Sequence, residues 1–247
     1  MAKLFVFGCS YSEDYKQLYN SYINPENSDL EKYKKFRGGE LPNCWGWLLA
    51  QKLGYTYVNY AEGAAGNNQI LSQFCDHSHE IEEGDMVIIG WSFMGRYRWA
   101  DDRNIKEHTW RKMGPGPFIK YDIISQTTHE EICVNRCSYL YINEVYGFIN
   151  LIDQFAKTKK FEIYYWSNDG KLIHNLPANK RKVKKFLCSD IIKEDTILSS
   201  CVKALGGMDI KKETNGVIED YHMGESGHRI QAELFYKHIT DFKIEIL

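Results

Sequence analysis

The chain has 247 residues, of which 43% are hydrophobic and 26% charged. That is length enough for a large core and a balance that excludes collagen-like and disordered classes. Lys and Arg total 31 against 33 Asp and Glu, so no global basic field exists to hold a nucleic-acid backbone, and no nucleic-acid partner is expected.

Taken in chain order, Leu4-Phe5-Val6-Phe7 predicts a buried strand, Trp45 to Leu53 a helix ended by Gly54, and Tyr55 to Asn59 a second strand. A helical pattern from near Asn67 leads to Glu83-Gly84-Asp85, a turn before the strand Met86-Val87-Ile88-Ile89. Tyr139 to Ala156 predicts a long helix, Phe161 to Trp166 a strand, and Gly227 to Ile239 a closing helix. Strands alternating with helices of this length need crossover connections, hence an α/β fold with a mainly parallel sheet and helices on both faces. With no repeat and no low-complexity linker, residues 1–247 read as one domain. Two stretches, about 12–43 and 96–136, leave the layered pattern as long excursions, either lids beside a ligand or packed decoration and oligomer contacts.

The N-terminal apolar run is short and passes straight into a motif, so it reads as a core strand rather than a signal peptide. No run approaches the ~18 apolar residues of a spanning helix. These features predict the cytoplasm and no membrane partner. The odd count of seven cysteines, without a secreted disulfide spacing, predicts reduced thiols. His129, Cys133 and Cys137 recur every four residues, but no paired Cys-x-x-Cys knuckle accompanies them and no metal is expected. The basic run from Lys180 to Lys185 reads as a solvated helix face.

Polar motifs fall just after predicted strands, where ligands sit on such sheets. Gly8-Cys9-Ser10 follows the first, Ala61 to Asn68 the second, and Gly90-Trp91-Ser92 the third. A fourth motif, Glu219-Asp220-Tyr221-His222, stands just before the closing helix. A serine alcohol needs a neighbouring imidazole to take its proton, and a carboxylate fixes that ring's tautomer. Ser10, His222 and an acid from the same loop can supply all three parts.

In order and approximate spacing, these segments resemble the motif blocks of the SGNH/GDSL hydrolases, most closely the divergent forms seen among bacteriophage proteins. The resemblance runs from residue 3 to about 240 and implies a three-layer α/β/α sandwich with a flavodoxin-like sheet. Gly8-Cys9-Ser10 is similar to the nucleophile block, with Cys9 in place of the usual aspartate. Asn59 to Ile70 resembles the glycine block, Val87 to Ser92 the third, and His222 with Gly227 and Ala232 the last. The resemblance implies Ser10 as nucleophile, His222 as base and Asp220 as the third member, with Glu219 at the spacing more usual in the family. It implies Ala64 as a backbone oxyanion donor, or Gly63 or Gly66 under a shifted loop, and Ser92 where the family has asparagine. Trp91 and Arg96 are candidates for a substrate wall. The implied reaction is hydrolysis of an ester or O-acetyl group on a small molecule or glycan, without a cofactor. Two alternatives remain: a non-catalytic glycan-binding or virion structural module, self-associating or virion-bound, and an O-acyltransferase.

Overall fold

The strand runs at 4–8, 86–91 and 163–167 are buried on both faces, and a strand buried on both sides requires helices above and below it. The computed structural model describes residues 1–21, 29–63, 65–92, 97–101, 109–113, 138–175, 185–188 and 223–244. Its main sheet contains β1 (Lys3–Gly8), β2 (Thr56–Asn59), β3 (Met86–Trp91) and β6 (Glu162–Ser167). All pairings in it are parallel, in the order β2-β1-β3-β6. That order, with the first strand flanked by the second and third, is the flavodoxin-like one. Between β3 and β6 in the chain, β4 (Tyr97–Asp101) and β5 (Thr109–Met113) pair antiparallel as a separate two-stranded sheet.

Seven helices are described: α1 (Tyr15–Ser21), α2 (Asp29–Phe36), α3 (Trp45–Leu53), α4 (Asn67–His77), α5 (Ser138–Lys159), α6 (Gly170–Asn175) and α7 (Glu225–Ile244). The expected α/β class is therefore the one observed. The first excursion contains α1 and α2, and the second includes the β4–β5 pair. Among the described residues no helix is long and apolar enough to cross a membrane, and Cys9, Cys44, Cys75 and Cys188 are not joined in disulfides. His129, Cys133 and Cys137 lie outside the described residues. So does most of the basic run, of which Lys185 reaches Asp153 Oδ1 at 3.3 Å.

The strand alternation sorts the core into two layers. On one face Phe7 meets Phe74 of α4 edge-on at 5.6 Å, Trp91 lies 6.3 Å from Phe148 of α5, and the Tyr165 hydroxyl donates to Asp153 at 2.9 Å. On the other face Trp45 of α3 packs nearly perpendicular to Trp166 at 5.7 Å and to Phe235 of α7 at 5.0 Å. Helix α3 can lie close to the sheet because residue 46 is glycine: a Cβ there would meet Tyr57 Cε2 at 2.9 Å and Val6 Cγ2 at 3.1 Å.

Helix α3 is bounded by its own sequence. Cys44 Sγ accepts from the Trp47 N–H at 3.5 Å. At the far end Gly54 adopts φ 72°, while the Tyr55 and Gly54 N–H groups return to Ala50 and Gln51, the bond pair that ends helices at glycine. Burial, with Asp14 nearby, pushes the Cys44 thiol up to about 12, so it stays neutral and donates to Asp14 Oδ2 at 3.4 Å. At the opposite edge of the sheet Asp85 joins two strand starts, accepting the Lys3 N–H at 2.8 Å and the Glu82 N–H at 2.9 Å.

Where β1 and β3 end, Gly8 pairs with Gly90, and the missing side chains make room for neighbours. A Cβ on Gly90 would stand 2.6 Å from Trp166 Nε1 and 2.7 Å from Ser12 Oγ; one on Gly8 would stand 2.6 Å from Ser12 Oγ. Trp166 is 1% exposed and wedged between Trp45 and Phe235, so it cannot yield. Gly90→Ala should cost about 1–3 kcal/mol by overpacking. Gly147→Ala, on an exposed face of α5 with nothing within 4 Å of its added Cβ, should instead gain about 0.5–1 kcal/mol of helix propensity. Urea denaturation of the two variants reads both signs.

Candidate active site

All the described candidate loops leave the sheet at its carboxyl edge, where parallel α/β sheets hold ligands. After β1 the chain folds into a tight turn in which the Ser12 and Glu13 N–H groups both donate to the Cys9 carbonyl, at 2.8 and 3.1 Å. Ser10 and Tyr11 form its apex; Ser10 is half-buried, and Cys9 beneath it is buried. The Tyr11 carbonyl accepts the Trp45 indole N–H at 3.0 Å, which fixes the turn against the start of α3.

The loop after β2 is stitched to the same turn. Asn59 Nδ2 donates to the Ser12 carbonyl at 2.8 Å, while its Oδ1 accepts the Ala61 N–H at 2.7 Å. The Glu62 N–H reaches the Gly8 carbonyl at 3.0 Å. Gly63 donates its N–H to Glu13 Oε1 at 2.8 Å, so an oxyanion bound there would have to displace a carboxylate. Gly66 occupies the N-cap of α4 in extended geometry, without a side-chain cap. Ala64, the first choice for the backbone donor, lies outside the described residues.

After β3, Ser92 is clamped by one side chain. Its N–H donates to Asn67 Oδ1 at 2.6 Å, and Asn67 Nδ2 donates to the Ser92 carbonyl at 3.4 Å and to the Tyr141 hydroxyl. The Ser92 hydroxyl is buried and has no hydrogen-bond partner among the described residues. Since Gly8 and Gly90 are register partners, Ser10 and Ser92 each stand two residues past a paired position on adjacent strands, which run about 4.8 Å apart.

Trp91 takes a different place from the substrate wall expected for it. It is 1% exposed, tilted against Phe148 and stacked on Tyr165, because its position on β3 has the parity of the α5 face. Arg96 lies outside the described residues. Trp99 and Trp110 belong to the β4–β5 pair, where Trp99 stands opposite Arg111 and Ala100 opposite Trp110.

His222, Asp220 and Glu219 lie outside the described residues; the chain becomes described at Met223 and Gly224, both buried, just before α7. The start of α7 is tied to the same corner. Glu225 accepts the Asn43 N–H at 2.6 Å and its Nδ2 at 3.2 Å, and His228 Nδ1 accepts the Trp45 N–H at 3.3 Å. That acceptor role places the proton of a neutral His228 on Nε2. Among the described residues no group of three or more His, Cys, Asp and Glu is arranged to hold a metal ion.

No family model matches the chain, and no curated protein matches it. Among solved structures it is similar to protein YXIM from Bacillus subtilis, at 14% identity and a TM-score of 0.44, over 98% of this chain and 57% of that one. The chain thus spans little more than half the length of the Bacillus protein. A second similar structure comes from Desulfitobacterium hafniense DCB-2 and is provisionally named a lipolytic protein of the G-D-S-L family. There the identity is 15% and the TM-score 0.31, over 96% of this chain and 99% of that one. At such TM-scores the likeness does not reach the arrangement of a site, which stands on the residues described above.

Glu13, Asn67 and Tyr141 were not among the expected site residues, and each acts by holding main chain or another side chain in place. Asn67 sits in a recognisable block, whereas no local pattern marks Glu13 or Tyr141. Asn67→Ala would leave the buried Ser92 N–H unpaired, at a cost of about 1–3 kcal/mol; faster hydrogen exchange at the Ser92 amide, with a lowered melting temperature, is the expected result.

Glu225 offers a test by pH. Burial pulls its pKa up, but the two Asn43 donors, Arg229 and Lys16 outweigh that and hold it below the ordinary carboxylate value. A carboxylate with a depressed folded pKa contributes stability above its unfolded pKa and loses it as pH falls through the folded value. The melting-temperature gap between wild type and Glu225→Gln should therefore be widest near neutral pH and close as pH drops below the carboxylate range.

Proposed function

We propose that the chain is a serine hydrolase of the SGNH/GDSL type that cleaves an ester or O-acetyl group, on a small molecule or a carbohydrate. The observation that carries this reading is the parallel exit of Ser10 and Ser92 from the paired glycines at the carboxyl edge. A nucleophile at one exit and an unengaged hydroxyl donor at the next suit attack on a carbonyl lodged between them.

In the proposed reaction His222 takes the Ser10 proton, held in the right tautomer by Asp220, or by Glu219 in its place. The serine oxygen adds to the carbonyl, and the Ala64 N–H and Ser92 hydroxyl stabilise the oxyanion. The alcohol leaves with the proton from His222. Water, deprotonated by the same imidazole, then releases the acid and restores Ser10. None of these steps calls for a cofactor.

One observation favours a second reading, a binding module without turnover: the Glu13 carboxylate already holds the Gly63 N–H, placing negative charge where an oxyanion hole needs donors. Labelling with a fluorophosphonate probe separates the two. In the enzyme, wild type labels on Ser10, Ser10→Ala and His222→Ala do not, and Ser92→Ala loses about 100-fold in kcat toward a p-nitrophenyl ester. A folded wild type that neither labels nor turns over ester would overturn the hydrolase reading. Should acyl groups pass to an added sugar rather than to water, the same intermediate would serve an acyltransferase.

A further inference from the structure

In the ester reaction proposed above, the backbone oxyanion donor comes from the loop after β2, and that loop is tied to the Ser10 turn at successive points. Asn59 grips the Ser12 carbonyl, and the Glu62 N–H reaches the Gly8 carbonyl. Glu13 acts one residue further on. Its own N–H donates to the Cys9 carbonyl at 3.1 Å, inside the Ser10 turn, while its Oε1 accepts the Gly63 N–H at 2.8 Å. One residue therefore links the turn of the candidate nucleophile to the peptide that leads directly into position 64. Beyond that position the buried Ala65 donates its N–H to the Glu62 carbonyl at 3.2 Å, so Ala64 stands in the chain between two anchored neighbours.

The glycine at 63 belongs to the same arrangement. A Cβ there would stand 2.9 Å from Glu13 Oε2 and 3.4 Å from Oε1, the first of these well inside the separation at which such atoms pack. Gly63 is not among the residues with positive φ, so its lack of a side chain answers to the Glu13 carboxylate rather than to the shape of the turn.

We propose that Glu13 is a positioning residue of this ester reaction: by holding the Gly63 N–H it sets the following N–H, that of Ala64, as the oxyanion donor beside Ser10. This rests on the hydrolase reading of the preceding subsection. A bond to a carboxylate is firmer than one to a neutral carbonyl, and a donor fixed before the oxyanion forms need not reorganise when it does. The carboxylate would obstruct the reaction were Gly63 the donor; with Ala64 as the donor it supports it. Glu13 touches no reacting atom in this scheme and acts through the loop.

Steady-state kinetics of the full-length chain on a p-nitrophenyl ester, with melting temperature and the rate of fluorophosphonate labelling alongside, separate this role from a merely structural one. A misplaced donor weakens the transition state rather than the bound substrate. Glu13→Ala should therefore lower kcat by about 10- to 100-fold while KM stays within about twofold, and slow the labelling of Ser10 in step. Glu13→Gln keeps an acceptor oxygen at the same reach and should restore kcat to within about threefold of wild type. Gly63→Ala leaves Glu13 in the chain but pushes its carboxylate aside, so it should reproduce the loss, and it carries the test should Glu13→Ala fail to fold. If either alanine variant folds with kcat unchanged or raised, or if Glu13→Gln falls as far as Glu13→Ala, the proposal fails and the hydrolase reading stands. A folded wild type without turnover would sink both.

Discussion

Trp45 is the residue on which the corner around the candidate site depends. Its indole N–H holds the Tyr11 carbonyl of the Ser10 turn, its main-chain N–H is taken by His228 of the closing helix, and its ring fills the angle between Trp166 and Phe235. One residue thus ties the strand-end turn, the α3 start and the α7 start together. Each bond alone is worth about 0.5–1.5 kcal/mol net, but leaving any of these buried groups unpaired costs more, which makes the three-way arrangement hard to dissolve piecemeal.

The paired glycines at the ends of β1 and β3 serve the same corner from below. Close-packed interiors have no spare volume, so the Trp166 indole and Ser12 can sit over the strand ends only because residues 8 and 90 carry no side chain. Asn67 then does for Ser92 what Trp45 does for Tyr11. It replaces a free loop with a main chain held by one amide that both accepts and donates. Much of the rim is therefore built from side chains gripping backbone, and the Ser92 hydroxyl has no hydrogen-bond partner among the described residues.

The central elements were legible because their signals are local. Apolar runs such as Leu4 to Phe7 and Met86 to Ile89, the Gly54 stop and the 3.6-residue pattern of α5 each lie within a few residues of one another. The observed boundaries differ modestly, α5 running Ser138–Lys159 and α7 Glu225–Ile244. The β4–β5 pair was not foreseen: Tyr-Arg-Trp-Ala-Asp and Thr-Trp-Arg-Lys-Met mix aromatic and charged residues without the strict alternation that marks a strand. Trp91 looked like a ligand wall because aromatic residues beside a motif invite that reading; its strand parity, set by the register with β6, sends it into the core. Glu13 is more instructive still, since its contact with Gly63 joins positions 50 apart and no spacing rule reports it.

The Trp45–His228 bond spans 183 positions, and this shapes how the protein is made. During synthesis β1, α3, β2 and β3 leave the ribosome long before α7 does. In that interval the Trp45 amide has no acceptor from His228, and the aromatic surface of Trp45 and Trp166 that Phe235 later covers faces water. The nascent chain consequently carries a half-finished aromatic face from the emergence of β6 until that of α7. Only when the closing helix emerges are that face and the corner beside Ser10 completed together, so an unfinished copy is held back from the final form of its own candidate site.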